Sequence, residues 1–550
     1  MPGTIERMRP SLANLRGLVV SLPLVLVVTA SGSMPETMPE TMPRTSDLDT
    51  RLEEQRIEER RIEEALRKSG SNRAEIERFL STYDASGDPE KRDSARWLVA
   101  NMDGHGFARI ELCDRDGKEL GFNALAFASL GEAQARLAEI EKAHPGAEFR
   151  KVEFLSDLEH ARAETLSAHL EGAFDAWRSL PWAKSISYDA FREHILPYRG
   201  SNEPLEPWRA PAAKRLEPLV REMRDAGLVD VRAVGEKVRA TVHPWVAFSD
   251  LYYVHPTDQG WTEMCEERRG RCEDITNMVS FGMRSVATMC ASDYTPWWAA
   301  SDNNHAWEVV LDEKGQGRAG LAGRAAKVYR KTFAHQETSL GAIKRDEETV
   351  PRWLSGTHYI DVTAQYQPVS DVTVMLAAPP EGHRFAYIAV FNGGAWRPIH
   401  WGRIEDAPMG GKCVRFDAIG RNICYLPMFH VAGADVPAGA PFVVDADGIV
   451  HELAAKGAAE ASLTASTTKP DIQDPDTGRI KARTVVKPDA SYELFVWRNG
   501  AWSSIGRREK GEETRAFEGL APDGLYWLVE DGSSRLERIF TIDSGGQVFW

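Results

Sequence analysis

Hydrophobic positions in the first half of the chain follow mainly helical spacing. Residues 48–69 carry four widely spaced apolar residues among charged ones, which predicts a solvated helix rather than a coiled coil. Helical spacing returns over 73–100 and again over 156–240. Between those stretches a hairpin, a helix and a strand, in the order ββαβ, predict a small α/β insertion. We therefore predict a mainly helical domain over residues 73–245.

The last third of the chain has short alternating runs separated by glycine and proline, which is typical of strands. A repeat is visible there, because Phe391–Trp396 (FNGGAW) matches Trp497–Trp502 (WRNGAW). Further aromatic, aspartate and glycine positions recur in the same order after each copy. This pattern predicts two tandem β-sandwich modules, over 371–455 and 470–550, joined by a linker rich in alanine, serine and threonine.

The middle segment, residues 246–366, carries the strongest candidate for chemistry. Cys272 opens a helical run, and the unpaired N–H groups of a helix start favour a thiolate. His305 begins the strand-like run HAWEVVL, and Asp361 lies in the later run YIDVT. A cysteine at a helix start, a histidine on one strand and an aspartate on another suit a nucleophile, a base and an orienting group.

These motifs, GRC-x-x-x-x-N, HAWEVV and DVT in that order, resemble the transglutaminase-like superfamily, which has a papain-like thiol fold. The resemblance implies that Cys272 is the nucleophile, His305 its base and Asp361 the group that orients the histidine. It is strongest over residues 262–311. It extends over most of 75–550 toward large extracytoplasmic members, which have an N-terminal helical region and trailing β modules.

The fold class that we expect is multidomain α+β. It comprises the helical region with its insertion, a transglutaminase-like core and the two β-sandwich modules. The composition is typical of folded domains, since 42% of the 550 residues are hydrophobic and 27% are charged. The length suggests about three or four domains. The net charge of −15 argues against nucleic acid and anionic lipid as main partners.

Several roles stay open at the candidate site. Asp302 and Asp312 are alternatives to Asp361 for orienting the histidine. Trp298 and Trp307 are candidates for the wall of a substrate groove, although core packing explains them equally well. The sequence lacks a paired C-x₂₋₄-C motif, so we predict no metal site, and nothing implies a cofactor.

Export would permit disulfides among the six cysteines. Cys413 and Cys424 flank a predicted β-hairpin and are a candidate pair. Cys265 and Cys290 lie near Cys272 along the chain, so oxidation of either onto the nucleophile is an alternative fate for that thiol.

The N-terminus predicts export. Three arginines precede the apolar run Leu18–Val28, and small residues follow it, as in a secretory signal peptide over residues 1–30. The alternative is a single signal-anchor helix. We expect cleavage near Ser31, a spacer and charged helix over 31–72, no membrane span in the mature chain, and a secreted or periplasmic location with possible association to the cell surface.

The expected function is that of an exported cysteine protease-like hydrolase, which cleaves a peptide-type amide through a thioester acyl-enzyme. Its substrate would be an extracytoplasmic peptide, protein or cell-wall peptide, and the β modules would bind a polymer or a protein. Two other enzymatic outcomes implied by the resemblance are cross-linking and deglycosylation. The non-enzymatic alternative is a surface scaffold with an inert core. The enzyme hypothesis predicts a pKa for Cys272 below the free-thiol value of about 8.5.

Overall fold

A computed structural model describes the chain over residues 27–28, 47–455, 459–473, 480–482, 484–512, 516–543 and 546–550. The predicted signal peptide and spacer therefore lie largely outside the described residues. The chain is a mixed α+β, multidomain protein with many strands. Within the described ranges, no helix combines the length and the apolar character needed to cross a membrane.

Helices dominate the first half and reappear around the middle segment. The α-helices are Asp47–Lys68 (α1), Arg73–Asp84 (α2), Pro89–Ala100 (α3), Leu130–Ala143 (α4), Asp157–His160 (α5), Ala163–Ser179 (α6), Tyr188–His194 (α7), Arg209–Asp225 (α8), Val231–Val242 (α9), Trp261–Glu267 (α10), Cys272–Ser285 (α11), Leu340–Ile343 (α12) and Thr363–Tyr366 (α13). Short 3₁₀ helices lie at Gly70–Asn72, Ala124–Ala126, Pro181–Ser185, His243–Trp245, Asp250–Val254 and Arg352–Ser355.

Strands are sparse before the middle segment and continuous after it. They are Val27–Val28 (β1), Gly106–Cys113 (β2), Glu148–Ser156 (β3), Ala247–Phe248 (β4), Arg269–Gly270 (β5), Cys290–Thr295 (β6), His305–Val310 (β7), Tyr329–Lys331 (β8), Tyr359–Asp361 (β9), Val369–Leu376 (β10), Phe385–Asn392 (β11), Ala395–Asp406 (β12), Lys412–Gly420 (β13), Ile423–Val431 (β14), Ala434–Pro437 (β15), Phe442–Val444 (β16), Val450–Glu452 (β17), Ala459–Ser462 (β18), Pro470–Gln473 (β19), Ile480–Ala482 (β20), Tyr492–Arg498 (β21), Ala501–Arg508 (β22), Ala516–Leu520 (β23), Tyr526–Glu530 (β24), Ile539–Asp543 (β25) and Gly546–Phe549 (β26).

The helical first half shares one hydrophobic core with α11, β6 and β7. Helices α8 and α9 pack directly on α11, and the rings of Trp208 and Phe281 stack at a centroid distance of 4.5 Å. The buried guanidinium of Arg209 donates hydrogen bonds to the carbonyl oxygens of Arg284 (2.8 Å) and Ile195 (2.9 Å). Helix α11 is therefore held on its N-terminal-domain side by both apolar packing and buried hydrogen bonds.

The small insertion pairs β2 antiparallel with β3, and α4 lies between them in the chain. The turn of the hairpin predicted for this insertion lies at Asp116-Gly117, and Gly117 adopts φ 89° there. The returning arm makes only an isolated bridge, between Cys113 and Glu119, rather than a full strand. Strand β2 pairs instead with the later β3, so the insertion contains a two-stranded antiparallel sheet.

The middle segment forms a four-stranded sheet in the order β7-β6-β8-β9, with every neighbouring pair antiparallel. Helix α11 packs against β6 and β7. Strands β7 and β9 are the two opposite edges of this sheet. Residues of β7 and residues of β9 therefore lie at opposite edges of the sheet, with two strands between them.

The C-terminal strands form a nine-stranded sheet and a five-stranded sheet within the described chain. The larger has the order β1-β10-β13-β12-β11-β14-β16-β17, with β15 added to β14, and the smaller has the order β22-β21-β24-β25-β26. The described pair Val27–Val28 joins the larger sheet beside β10. Further two-stranded pairs link β18 to β23 and β19 to β20.

The predicted hairpin between Cys413 and Cys424 is wrong. The two strands that carry these residues are consecutive in the chain but do not pair, because β12 and β11 lie between β13 and β14 in the sheet order. All six cysteines are free thiols, and Cys424 is buried against the strand β16. The candidate disulfide is therefore not formed, and no cysteine is oxidised onto Cys272.

The sequence repeat corresponds to two similar hairpins, β11–β12 and β21–β22. Both central residues of each turn have positive φ, at Gly393-Gly394 (61° and 74°) and Asn499-Gly500 (50° and 76°). Positive φ at both positions is the requirement of a type I′ turn, which explains the glycine-rich repeat.

Aromatic residues of the two hairpins pack against each other rather than only within their own sheets. Trp396 lies 5.8 Å from Trp497 between ring centroids, and Phe391 lies 5.3 Å from Trp527. Both Trp396 and Trp497 are 8% exposed. These tryptophans therefore bury an interface between the two sheets.

We expect a fragment of residues 370–550 to fold alone, with a β-rich circular dichroism spectrum and one cooperative melt. The shared aromatic core also contains Leu340 and Leu354, which are fully buried and lie before residue 370. A fragment beginning at residue 338 should therefore melt at a higher temperature than the shorter one. An unfolded shorter fragment beside a folded longer one would place the domain boundary before residue 340.

Candidate active site

Cys272 is the first residue of α11, and a buried carboxylate holds the start of this helix. The Arg271 backbone N–H donates to Asp274 Oδ2 (2.9 Å), and the Gln259 backbone N–H donates to Asp274 Oδ1 (3.1 Å). Burial raises the pKa of Asp274 to about 6, and Arg271 opposes that rise. The carboxylate thus binds the backbone N–H that precedes the helix, as in one half of a capping box, and fixes the backbone beside Cys272.

The two residues before Cys272 also have structural roles. The guanidinium of Arg271 forms a buried ion pair with Asp258. A side chain at Gly270 would place its Cβ 2.6 Å from Asp274 Cβ and 2.9 Å from Gln259 Nε2. Such distances exclude any residue but glycine unless the surroundings shift. The Gly-Arg-Cys motif thus positions the thiol through close packing.

Cys272 and His305 line one cavity of about 430 Å³. Its walls come from α9, the first turn of α11, strand β7 and the loop of residues 318–322. Trp307 also lines it, whereas Trp298 lies outside the lining and packs behind His305. The structure therefore brings together the predicted nucleophile, the predicted base and one of the two predicted wall residues.

Burial sets the protonation of both groups. It raises the pKa of the Cys272 thiol, although a hydrogen bond from the Ala306 backbone N–H partly offsets that effect. Burial lowers the pKa of His305, with the Glu308 and Glu273 carboxylates acting in the opposite direction. The expected lowering of the thiol pKa is therefore wrong, because burial raises it. Burial favours the neutral form of both side chains.

The ring of His305 is positioned by aromatic neighbours. It stacks on Trp298 at 6.1 Å and 28°, and its centroid lies 5.5 Å from that of Trp307. Trp307 is itself fixed, because its Nε1–H donates to the Tyr366 hydroxyl (2.9 Å). Both tryptophans are 8% exposed, so packing beside the histidine is their main contribution. No carboxylate among the described residues hydrogen-bonds to the His305 ring.

Asp361 lies away from this cavity, because strands β6 and β8 separate β9 from β7. Neighbouring strands are about 4.8 Å apart, so the two edge strands are about 14 Å apart. The Asp361 carboxylate pairs with the buried ammonium of Lys327 and accepts a hydrogen bond from the Thr363 backbone N–H (2.9 Å). The structure does not bring Asp361 together with Cys272 and His305.

The two alternative aspartates stabilise loops. Asp302 Oδ1 accepts a hydrogen bond from the Gly393 backbone N–H (2.9 Å). Asp312 Oδ1 accepts from the backbone N–H groups of Lys314 (3.0 Å) and Gln316 (2.9 Å). The contacts of Asp312 are those of a turn aspartate, whereas Asp302 joins its loop to the β11–β12 turn. Neither contact involves His305.

One pair in the cavity was missed by the sequence reasoning. His243 Nδ1 lies 2.9 Å from Glu308 Oε1, and Arg239 Nη1 lies 3.5 Å from the same oxygen. The Glu308 side chain is 8% exposed. His243 and Glu308 are 65 residues apart, and only the packing of α9 on β7 joins them. Across the described ranges, no group of three His, Cys, Asp or Glu side chains is arranged to hold a metal.

Comparison with known proteins adds little. No protein-family model matches the chain, and no curated protein matches it. Among solved structures, red sea bream transglutaminase is a weak structural neighbour, with a TM-score of 0.18 and 11% sequence identity over 68% of this chain and 73% of that chain. A similarity at this level carries no argument about the fold or the activity.

Proposed function

We propose that this protein is an exported, transglutaminase-like thiol enzyme that hydrolyses a peptide-type amide, with Cys272 as nucleophile and His305 as base. The observation that supports this most is their shared cavity, into which a helix start presents the cysteine. The catalytic core on this proposal spans residues 246–366. The N-terminal helical domain and the two β modules would serve to support it and to bind its polymer or protein partner.

Because burial favours the neutral forms of Cys272 and His305, we assign general-base attack rather than a pre-formed thiolate–imidazolium pair. Cys272 Sγ attacks the amide carbonyl carbon while its proton passes to neutral His305. The C–N bond then breaks as the leaving amine gains a proton, and a thioester remains. Water as acceptor completes hydrolysis. An amine acceptor would give cross-linking, and an Asn-linked glycan as leaving group would give deglycosylation.

The acceptor can be identified with a mixed assay. The full-length protein would be incubated with an unfolded protein and dansylcadaverine, a fluorescent primary amine. Hydrolysis yields new peptide termini or released ammonia, whereas transfer attaches the fluorophore covalently. We expect hydrolysis, with Cys272→Ala as the inactive control.

A non-enzymatic surface scaffold is the second candidate function. Two observations favour it: the pKa of Cys272 is raised, and His305 has no carboxylate partner among the described residues. On this alternative the cavity is a remnant, and the β modules and helical domain carry a binding function. Thiol reactivity at Cys272 separates the two candidates.

The acylation rate should rise with pH along an acid limb whose midpoint is below the ordinary pKa of histidine. His305 accepts a proton only when neutral, and its burial lowers its pKa from the usual value near 6.5. The acid limb of acylation by p-nitrophenyl acetate should therefore have its midpoint below about pH 6.5. Stopped-flow burst rates across pH measure this limb. His305→Asn should abolish it, and a wild-type midpoint above the ordinary histidine value would contradict the assignment.

A further inference from the structure

The Cys272 cavity holds a second histidine, and that histidine has the carboxylate partner that His305 lacks. His243 and Glu308 both line the cavity, and their Nδ1 and Oε1 atoms are 2.9 Å apart. His243 Nε2 makes no hydrogen bond within the described chain. An imidazole oriented through Nδ1 by a carboxylate, with Nε2 free, has the arrangement of a proton-transferring residue.

His305 and Glu308, the partner of His243, lie on different faces of strand β7. Successive residues of a strand point to opposite faces. Glu308 contacts side chains of α9, and Val310 packs on Gly235 of that helix. His305 and Trp307 instead join the aromatic stack with Trp298. His243 and His305 therefore occupy separate positions around one cavity.

We propose that His243 is a second catalytic residue of this cavity, which protonates the leaving amine and then activates water, with Glu308 as its positioning residue. This inference rests on the proposed function. The charged groups that face the imidazole are Glu308 on β7 and Arg239 on α9, and Arg239 also pairs with Glu236 (2.9 Å).

The proton balance closes over one turnover. The cycle begins with His243 protonated and paired with Glu308, and with Cys272 and His305 neutral. During acylation the thiol proton moves to His305, the C–S bond forms, and the C–N bond breaks as the amine takes the His243 proton. During deacylation water gives a proton to neutral His243 and its oxygen attacks the thioester. The C–S bond breaks, and the thiolate regains its proton from His305.

An activated ester separates the two roles. The leaving group of p-nitrophenyl acetate needs no proton, so acylation of the full-length protein should not depend on His243. His243→Gln should retain a one-equivalent burst of p-nitrophenol while steady-state turnover falls about 100-fold, within the range for general acid–base catalysis. Mass spectrometry should find acetyl-Cys272 accumulating in that variant. Added imidazole should restore turnover in His243→Gly.

His451→Gln is the matched control. His451 also pairs with a carboxylate, at 2.7 Å from Asp445 Oδ2, and it is similarly half-exposed, but it lies in the C-terminal strands. Its burst and turnover should equal those of the wild type. Two outcomes would overturn this inference alone. In the first, His243→Gln turns over the ester as fast as the wild type. In the second, His243→Gln loses the burst and the turnover to the same extent. A wild type with neither a burst nor turnover of the ester overturns the proposed function as well.

Glu308→Gln tests the positioning role through the two kinetic phases. A glutamine at this position keeps the size of the side chain but not the charge that pairs with the imidazolium, so the burst of p-nitrophenol should stay at one equivalent while the rate of deacylation falls. A purely structural role for Glu308 would lower the burst amplitude, which counts folded active sites, without changing the deacylation rate per site. An unchanged deacylation rate with a normal thermal melt would contradict the role of Glu308.

Discussion

Replacement of Cys272 by alanine should remove hydrolysis by several orders of magnitude, because a nucleophile and its base act as a unit. In the wild type, Cys272 should react with iodoacetamide before the other thiols, since it lines the same cavity as the proposed base His305. The rate of this alkylation should still be rising above the ordinary thiol pKa of about 8.5, because burial raises the pKa of Cys272. Site-resolved mass spectrometry of the reduced, folded protein measures this order. His305→Ala should slow the reaction.

Cys265 and Cys290 are internal controls for that experiment. Cys290 is buried with a pKa of about 11, and Cys265 is partly exposed near Arg215, with Sγ 3.9 Å from Nη1. Cys265→Ser should leave both hydrolysis and the labelling of Cys272 unchanged. If Cys272 is no more reactive than these two thiols, the enzyme proposal fails and the scaffold candidate takes its place.

Replacement of Asp361 by alanine should destabilise the fold by about 3 kcal/mol with little effect on Cys272 labelling. The variant leaves the ammonium of Lys327, whose side chain is fully buried, without its counter-charge. Lys327 Nζ keeps the carbonyl oxygens of Asp417 and Ala418 as acceptors, so we place the loss at the lower end of the range for broken buried pairs. Denaturant unfolding of the full chain measures the change.

The double variant Lys327→Met, Asp361→Leu is the matched control. It removes both charges together, so it should recover most of the stability that Asp361→Ala loses. Labelling of Cys272 should be close to wild type in both variants. A stable Asp361→Ala protein whose Cys272 labelling falls as far as in His305→Ala would instead place Asp361 in the catalytic machinery.

Local features of this protein can be predicted from its sequence. The start of α11 at Cys272 follows from the Gly-Arg-Cys motif and the acidic first turn that caps it. The two hairpin turns follow from their Asn and Gly residues, because positive φ at both positions favours those residue types. Such signals depend on the conformations of a few neighbouring residues, so they do not depend on how the rest of the chain folds.

Only the tertiary structure decided how these elements meet. Strands β6 and β8 lie between His305 and Asp361, and Cys413 and Cys424 lie on strands that are adjacent in sequence but not in the sheet. The opposite pKa shifts of Cys272 and His305 arise from burial. Strand order and burial depend on long-range pairing, which short motifs do not encode.

The pairing of His243 with Glu308 is the clearest contact that the sequence alone could not predict. Neither residue belongs to a motif with the other, and the packing of α9 against β7 alone brings their side chains within 2.9 Å. The sequence by itself determined the candidate nucleophile, the helix that presents it and the turns of the repeat. The tertiary structure decided which histidine has a carboxylate, because that contact joins residues far apart in the chain.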